Sequence, residues 1–144
     1  MITYKKLLVA IDLSSESEHV LERALLIAEG DKSRLHLVHV VEPVAAAYPI
    51  DAYAINMNEL QEEAMAISRK RLDEIADKFE LPAQRHTLVG SPATEIRSKA
   101  EEIGADLIVI GSHGTSGWKL LLGSTANKVL HGAKCDILTV RVGS

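Results

Sequence analysis

Five short apolar runs, separated by amphipathic stretches, organise this chain. The runs cover residues 5–12, 34–41, 84–90, 106–111 and 136–142. The first, KKLLVAID, and the fourth, DLIVIG, are almost continuous in valine, isoleucine and leucine, which is typical of parallel strands covered on both faces. The pattern therefore predicts five strands, and these two are expected to be buried on both sides.

The stretches between the runs have the periodicity of amphipathic helices. Apolar residues recur there at steps of three and four, so each stretch has one face suited to burial. The predicted faces are Val20, Leu21, Ala24, Leu25, Ile27 and Ala28 in the first stretch, Leu72, Ile75, Ala76 and Phe79 within 57–79, and Ala93, Ile96, Ala100 and Ile103 in the third. The alternation of strands and helices predicts an α/β fold: a single domain over residues 1–144, with a doubly wound five-stranded parallel sheet and helices on both faces.

Two helix starts carry local signals. Ser15, three residues before Glu18, fits a capping box ahead of the first helix. Ser91 places a capping hydroxyl before Pro92, a residue that suits the first helical position.

Composition and charge exclude several classes of protein. Of the 144 residues, 47% are hydrophobic and 25% are charged, which is ordinary for a globular domain. A net charge of −4, few aromatic residues and no basic cluster argue against a nucleic-acid partner. No apolar run reaches about 18 residues, so no membrane insertion is expected. The single cysteine, Cys135, and a start without signal-peptide features favour the cytoplasm, and Cys135 itself is expected to be an inert residue leading into a strand.

One connection is longer than a connector needs to be. Residues 42–56, EPVAAAYPIDAYAIN, contain two tyrosines, two prolines and several alanines. Loops of this length are usually functional or disordered. Two interpretations stay open: packing against a ligand or a second subunit, and a surface loop that folds back on its own domain.

Glycines cluster directly after the fourth run. In open parallel sheets, ligands bind beyond the carboxyl ends of the strands, and Gly111 ends this run. Gly114 and Gly117 let main-chain amides approach an anion closely, and Gly123–Ser124 opens the last predicted helix, whose free amides form a second cradle. Two such cradles suit a polyphosphate. The alternative is that these glycines only end a strand and cap a helix.

Asp12 closes the first run and is the second informative residue. It lies beside the glycine loop if the first and fourth strands are neighbours, where a carboxylate accepts hydrogen bonds from ribose hydroxyls or coordinates a metal. The alternative is an acidic cap on the turn DLSSES, which aspartate and serine also favour. Both interpretations stay open at this point.

Several common site motifs do not occur. The first strand is not followed by Gly-x-Gly-x-x-Gly, and the chain has neither a P-loop nor a Gly-x-Ser-x-Gly nucleophile elbow. His36 and His39 are three apart in a strand, so they point to opposite faces and cannot share a metal. Fast catalysis is not expected, and no catalytic residue is assigned.

Across its whole length the chain resembles the universal stress proteins. The matching motifs are LLVAIDLSSES, LHLVHVVEP, GSPATEI, ADLIVIGSHGTSGWKLLLGSTANKVL and CDILTVRV. The resemblance implies a cytoplasmic protein with strand order 3-2-1-4-5 and a homodimer formed through the last strand, residues 136–142.

Some members of that family bind ATP and others do not. Binders resemble a pattern in which two residues separate the first glycine from the second and nine residues separate the second from the third. Serine or threonine follows the third glycine. Here eight residues separate Gly114 from Gly123. Gly117 gives this span freedom to absorb the missing residue, so we expect binding to survive. The residues that the family's pocket implies here are Ala10, Ile11, Asp12, Val40, Gly111, His113, Gly114, Gly123, Ser124 and Thr125.

The resulting hypothesis is a dimeric stress-response sensor or adaptor that binds ATP or AMP, with or without Mg²⁺. Two alternatives remain. The first is a family member that binds no nucleotide and works through its surfaces, which the eight-residue spacing and Ala10 support because many binders have proline there. The second is a slow ATP hydrolase that uses His113 or Ser124.

Overall fold

The computed structural model describes residues 3–43, 57–112 and 124–141. Its strands and helices alternate along the chain, and a 3-10 turn, Lys32–Arg34, precedes the second strand. The strands are β1 (Leu7–Ala10), β2 (Leu35–Val41), β3 (Arg85–Val89), β4 (Leu107–Gly111) and β5 (Asp136–Val140). The helices are α1 (Ser17–Ile27), α2 (Met57–Lys78), α3 (Pro92–Ile103) and α4 (Ser124–Gly132).

The five strands form one parallel sheet in the order β3-β2-β1-β4-β5. β1 lies at the centre, where Leu7 is in register with Leu35 of β2 and with Leu107 of β4. Both the predicted α/β class and the strand order 3-2-1-4-5 are therefore confirmed.

Two hydrophobic cores cover the two faces of the sheet. Because side chains alternate along a strand, Leu7 and Val9 of β1 enter one core and Leu8 and Ala10 enter the other. The first core contains the buried faces of α1 and α2, and the second contains those of α3 and α4. The predicted helix faces are confirmed: the buried members are Val20, Leu21, Ala24, Ala28, Leu72, Ala76, Ala93, Ile96 and Ala100, and the partly buried members packed against them are Leu25, Ile27, Ile75, Phe79 and Ile103.

β1 is shorter than the apolar run that predicts it. The amides of Lys5 and Lys6 donate to the two carboxylate oxygens of Asp106, each at 2.9 Å, so ladder pairing begins only at Leu7. At the other end the backbone leaves the strand through Leu13, which has a φ of 65° in the left-handed region. This is a costly conformation for a residue with a branched side chain.

The predicted capping box at Ser15 is wrong. α1 begins at Ser17, and its N-cap residue, Glu16, makes no side-chain capping bond. The turn is held instead by the carboxylate of Asp12 and the hydroxyl of Ser14, which take the local donors. Before α3 the predicted position is right, because Ser91 is the N-cap and Pro92 the first helical residue, although the Ser91 side chain makes no capping bond.

Three helices end in the same way. One residue past α3, and two residues past α1 and α2, the backbone is left-handed: Gly104 has a φ of 71°, Glu29 a φ of 56° and Glu80 a φ of 54°. In each case the next amide reaches back five residues to a helical carbonyl, as Ala105 N does to Ala100 O at 2.9 Å. This is the Schellman arrangement, which satisfies carbonyls that the helix end leaves open.

None of the helices within the described ranges has the length and apolar character needed to cross a membrane.

Candidate functional site

The carboxyl ends of β1 and β4 lie side by side. Ala10, the last residue of β1, is in register with Ile110, and Gly111 follows as the last residue of β4. Asp12 and Gly111 therefore occupy the same edge of the sheet, as predicted if the first and fourth strands are neighbours. α4 follows β4 in the chain and starts at Ser124, and crossover helices in a parallel sheet start from this edge.

Asp12 organises the turn that follows β1. Its Oδ1 atom accepts hydrogen bonds from the amide of Ser14 at 3.0 Å, from the hydroxyl of Ser14 at 2.6 Å and from the hydroxyl of Ser17 at 3.3 Å. The hydrogen bond from the Ser14 amide, two residues further along the chain, makes this segment an Asx-turn. The predicted acidic cap on the turn DLSSES is therefore confirmed. The Ser14 hydroxyl accepts in turn from the amide of Glu16 at 3.2 Å. Asp12 and Ser14 thus fix the backbone between β1 and α1.

The apolar residues that the family resemblance assigns to the pocket are buried in the two cores. Ala10 and Ile11 are each 1% exposed and point to opposite faces of the sheet, and Val40 is 2% exposed. A ligand at this edge would therefore meet the main chain of these residues more readily than their side chains. Thr125, in the first turn of α4, is also buried.

His39 joins this edge, although the sequence indicated no role for it there. Its Nδ1 atom lies 2.8 Å from the carbonyl oxygen of Ile11, and because a carbonyl only accepts, the imidazole is the donor. Burial lowers the pKa of His39, while the hydrogen bond to Ile11 and the charge of Asp12 raise it, and the net direction is downward. One signal was present: a histidine inside a buried strand needs a hydrogen-bonding partner.

The two histidines of β2 do face opposite sides, as predicted. His36 hydrogen-bonds His86 of β3 on the face covered by α3, whereas His39 reaches Ile11 on the other face. Within residues 3–43, 57–112 and 124–141, no group of three or more metal-ligating side chains is close enough to hold an ion.

Cys135 precedes β5 and is half-buried. Burial raises the pKa of its thiol, and the carboxylates of Asp136 and Asp106 raise it further. A raised pKa disfavours the reactive thiolate, which agrees with the inert role predicted for this residue.

Part of the predicted site lies outside the described residues. This holds for His113, Gly114, Gly117, Trp118 and Gly123, and for positions 44–56 of the long connection. Ser124 is described as the first residue of α4. The structure thus brings together Ala10, Ile11, Asp12, Val40 and Gly111 at one edge of the sheet.

Comparison with known proteins agrees with this architecture. Universal stress protein A homolog 1 of Coxiella burnetii is 41% identical over 139 residues, covering 95% of this chain and 96% of the relative. Among solved structures, hypothetical protein MJ0577 matches with a TM-score of 0.81 and 26% identity over 99% of both chains. A universal stress protein solved in complex with cAMP matches with a TM-score of 0.62 and 24% identity, covering 96% of this chain and 98% of that one.

The sequence profile of the universal stress protein family matches residues 3–141. The match spans every strand and helix described above. The chain belongs to the universal stress protein family.

Proposed function

We propose that this chain binds an adenine nucleotide, ATP or AMP, at the carboxyl edge of the sheet and acts as a dimeric stress-response sensor or adaptor in the cytoplasm. The observation that supports this most directly is the adjacency of β1 and β4. It puts the Asp12 carboxylate on the same edge as Gly111, where the glycine-rich span begins.

The chemistry of the described residues suits a nucleotide. A carboxylate at the end of the central strand is a natural acceptor for ribose hydroxyls, and the main chain of Val40 in the neighbouring strand can meet the edge of the base. The first turn of α4 offers free amides and the positive end of a helix dipole to phosphates. Gly111, His113 and Gly114 would contact the sugar and phosphates, and Gly123, Ser124 and Thr125 would hold the phosphate tail, with Mg²⁺ as an optional companion.

The comparisons support the choice of an adenine ligand at the level of the fold. One protein of this fold is known in complex with cAMP, which shares its adenine, ribose and phosphate with ATP and AMP. The eight-residue span between Gly114 and Gly123 favours one competing function, that of a family member that binds no nucleotide and acts through its surfaces.

The dimer is proposed to form through β5. Within the described residues, β5 pairs with β4 on one side only, so its other edge can add a strand from a second copy. A nucleotide bound at the carboxyl edge of the sheet would shift the balance between monomer and dimer only if the two forms bind it with different affinity. Sedimentation of the protein with and without ATP measures that shift.

Thermal unfolding with ATP, with AMP and without ligand tests nucleotide binding. A ligand that binds only the folded state stabilises it by about 2.7 kcal/mol when present at 100 times its Kd. Gly123→Val is expected to abolish the stabilisation. Gly30→Val is the control, because Gly30 follows α1, lies outside the proposed site and has open space around it. A wild-type protein that neither nucleotide stabilises would overturn the proposal.

Hydrolysis is tested separately. Release of ADP is followed over hours in the wild type and in His113→Ala. A sensor keeps its ATP over this time, whereas a slow hydrolase releases ADP at a rate that the substitution lowers.

A further inference from the structure

We propose that His39 is a positioning residue that orients Asp12 toward the ribose of the bound nucleotide. This inference rests on the proposed function, since it concerns the same edge of the sheet. His39 was not among the residues predicted to contact the ligand. Its side chain hydrogen-bonds the main chain of the residue that follows β1.

The peptide group that precedes Asp12 is the structural link. The amide of Ile11 donates to the carbonyl of Val38 at 3.0 Å, and the carbonyl of Ile11 accepts from His39 Nδ1 at 2.8 Å. Because the Ile11 carbonyl and the Asp12 amide belong to one planar unit, a bond to that carbonyl fixes the orientation of the whole peptide plane. His39 therefore controls the direction in which the backbone enters Asp12.

The other side of Asp12 is also held. Its Oδ1 atom accepts hydrogen bonds from the amide and hydroxyl of Ser14 and from the hydroxyl of Ser17. Leu13, which lies between Asp12 and Ser14, has a left-handed backbone. Backbone strain of this kind persists only where the surroundings enforce it. The carboxylate is thus held by the His39 bond on one side and by the serine turn on the other.

Such anchoring matters for ribose recognition because hydrogen bonds to a carboxylate depend steeply on geometry. Binding groups need to be held within about 0.5 Å of the productive position by the residues behind them. Without the His39 donor, the Ile11 carbonyl would lose its partner and the peptide plane could rotate, which would move the carboxylate. The contact of the Val40 main chain with the base and the contacts with the phosphates come from other segments and would change little.

The hydrogen bond also tolerates protonation of the ring. The Nδ1 atom carries a hydrogen both in this neutral tautomer and in the imidazolium, so the donor to Ile11 is kept in either state. The charge of Asp12 acts on His39 and favours the protonated ring, which keeps the donor. We therefore expect the positioning effect to persist across the range of pH in which the protein is folded.

The test compares the affinities of ATP and 2′,3′-dideoxy-ATP by titration calorimetry. Hydrogen bonds to a charged group predict a wild-type preference for ATP of roughly 10-fold to 100-fold. His39→Leu keeps the volume and removes the donor, and it is expected to lower this preference at least about 5-fold while the Kd of the dideoxy nucleotide stays within about 2-fold. His39→Asn, whose amide can take the place of Nδ1–H, is expected to restore most of the preference.

The control lies on the same strand. His36→Leu also removes a hydrogen-bonded histidine from β2, but on the opposite face of the sheet, so it is expected to leave the preference for ATP unchanged. A general loss of stability would lower both affinities together and leave their ratio intact. If His39→Leu does not fold, the same comparison is made with His39→Phe, which keeps a ring but has no hydrogen-bond donor.

The outcomes separate the two proposals. If the wild type does not bind ATP, the proposed function fails and this inference fails with it. If the wild type binds ATP and prefers it over the dideoxy nucleotide, but His39→Leu or His39→Phe keeps that preference, the positioning role alone is overturned.

Discussion

His36 Nδ1 and His86 Nε2 lie 3.3 Å apart across β2 and β3, with their ring planes within 2° of each other. A bond between two imidazole nitrogens needs one donor and one acceptor. It is therefore lost when both rings carry two hydrogens. We therefore expect the contact between β2 and the edge strand β3 to weaken at low pH.

The first prediction concerns stability in mild acid. Burial lowers the pKa of His36, and His86, Lys6 and Lys99 lower it further; burial and Lys99 also lower the pKa of His86, against an opposing contribution from Glu102. The unfolded chain therefore binds more protons than the folded one as the pH falls. The stabilisation is fully present above about pH 6.5 and is lost as the pH falls through the folded pKa values.

We expect the urea midpoint of the wild type to fall between pH 7.5 and pH 5.5, and to fall less steeply in His86→Gln. His19→Gln changes an exposed histidine and serves as the control. Parallel curves for the wild type and His86→Gln would contradict the role assigned to the pair.

The second prediction concerns the helix ends. Gly104 occupies its left-handed position without strain, and a Cβ there meets no atom within 4 Å. Gly104→Ala is therefore expected to cost about 1 kcal/mol of unfolding free energy through backbone conformation alone. Glu80 holds the equivalent position after α2 at φ 54°, so Glu80→Gly is expected to be neutral or stabilising by up to about 1 kcal/mol. Urea unfolding measures both changes, and a destabilising Glu80→Gly would contradict the conformational explanation.

The third prediction concerns Arg85, which ties β3 to α2. Its guanidinium donates to Asp73 at 3.0 Å, to Asp77 at 2.9 Å and to the carbonyl of Leu81 at 2.9 Å, with 18% of the side chain exposed. Arg85→Met is expected to destabilise the protein by about 1–3 kcal/mol because several charge-assisted bonds are lost together. Arg69→Met, an exposed substitution on α2, is expected to stay within about 0.5 kcal/mol. Equal effects of the two variants in urea unfolding would contradict the prediction.

The fourth prediction compares two isoleucines on helices. Ile96 of α3 is 0% exposed and packs in the second core, whereas Ile67 of α2 is 55% exposed. Ile96→Ala is expected to cost about 2–5 kcal/mol, and Ile67→Ala less than about 0.5 kcal/mol. Calorimetric melting of both variants checks the difference. A small loss for Ile96→Ala would mean that the core between the sheet and α3 relaxes to fill the space.

The sequence predicts the sheet well because burial leaves a direct imprint on hydrophobic pattern. The continuous apolar runs of β1 and β4 mark the central strands, and the stripe through Ile96 and Ala100 marks the face of α3. β3 is less distinctive, since none of its five residues is fully buried. Its Arg85 and His86 serve side-chain contacts that no local pattern reveals.

The candidate site is predictable only where it depends on strand ends. The position of Asp12 follows from the end of an apolar run, and its turn follows from the serines that succeed it. The bond from His39 to Ile11 could not be foreseen in this way, because it joins residues 28 positions apart whose proximity depends on the register of two strands. The capping box at Ser15 failed for a related reason: Asp12 and Ser14 already supply the acceptors of that turn.

The segment just before β1 is fastened to the amino edge of the sheet. Asp106 accepts the amides of Lys5 and Lys6, and the hydroxyl of Tyr4 donates to Asp136 at 2.7 Å. Asp12 and Gly111 lie at the opposite edge. A biotin or a fluorophore attached ahead of Tyr4 would therefore lie at the amino edge of the sheet. Immobilised by that route, the protein would present the carboxyl edge of its sheet to the solution.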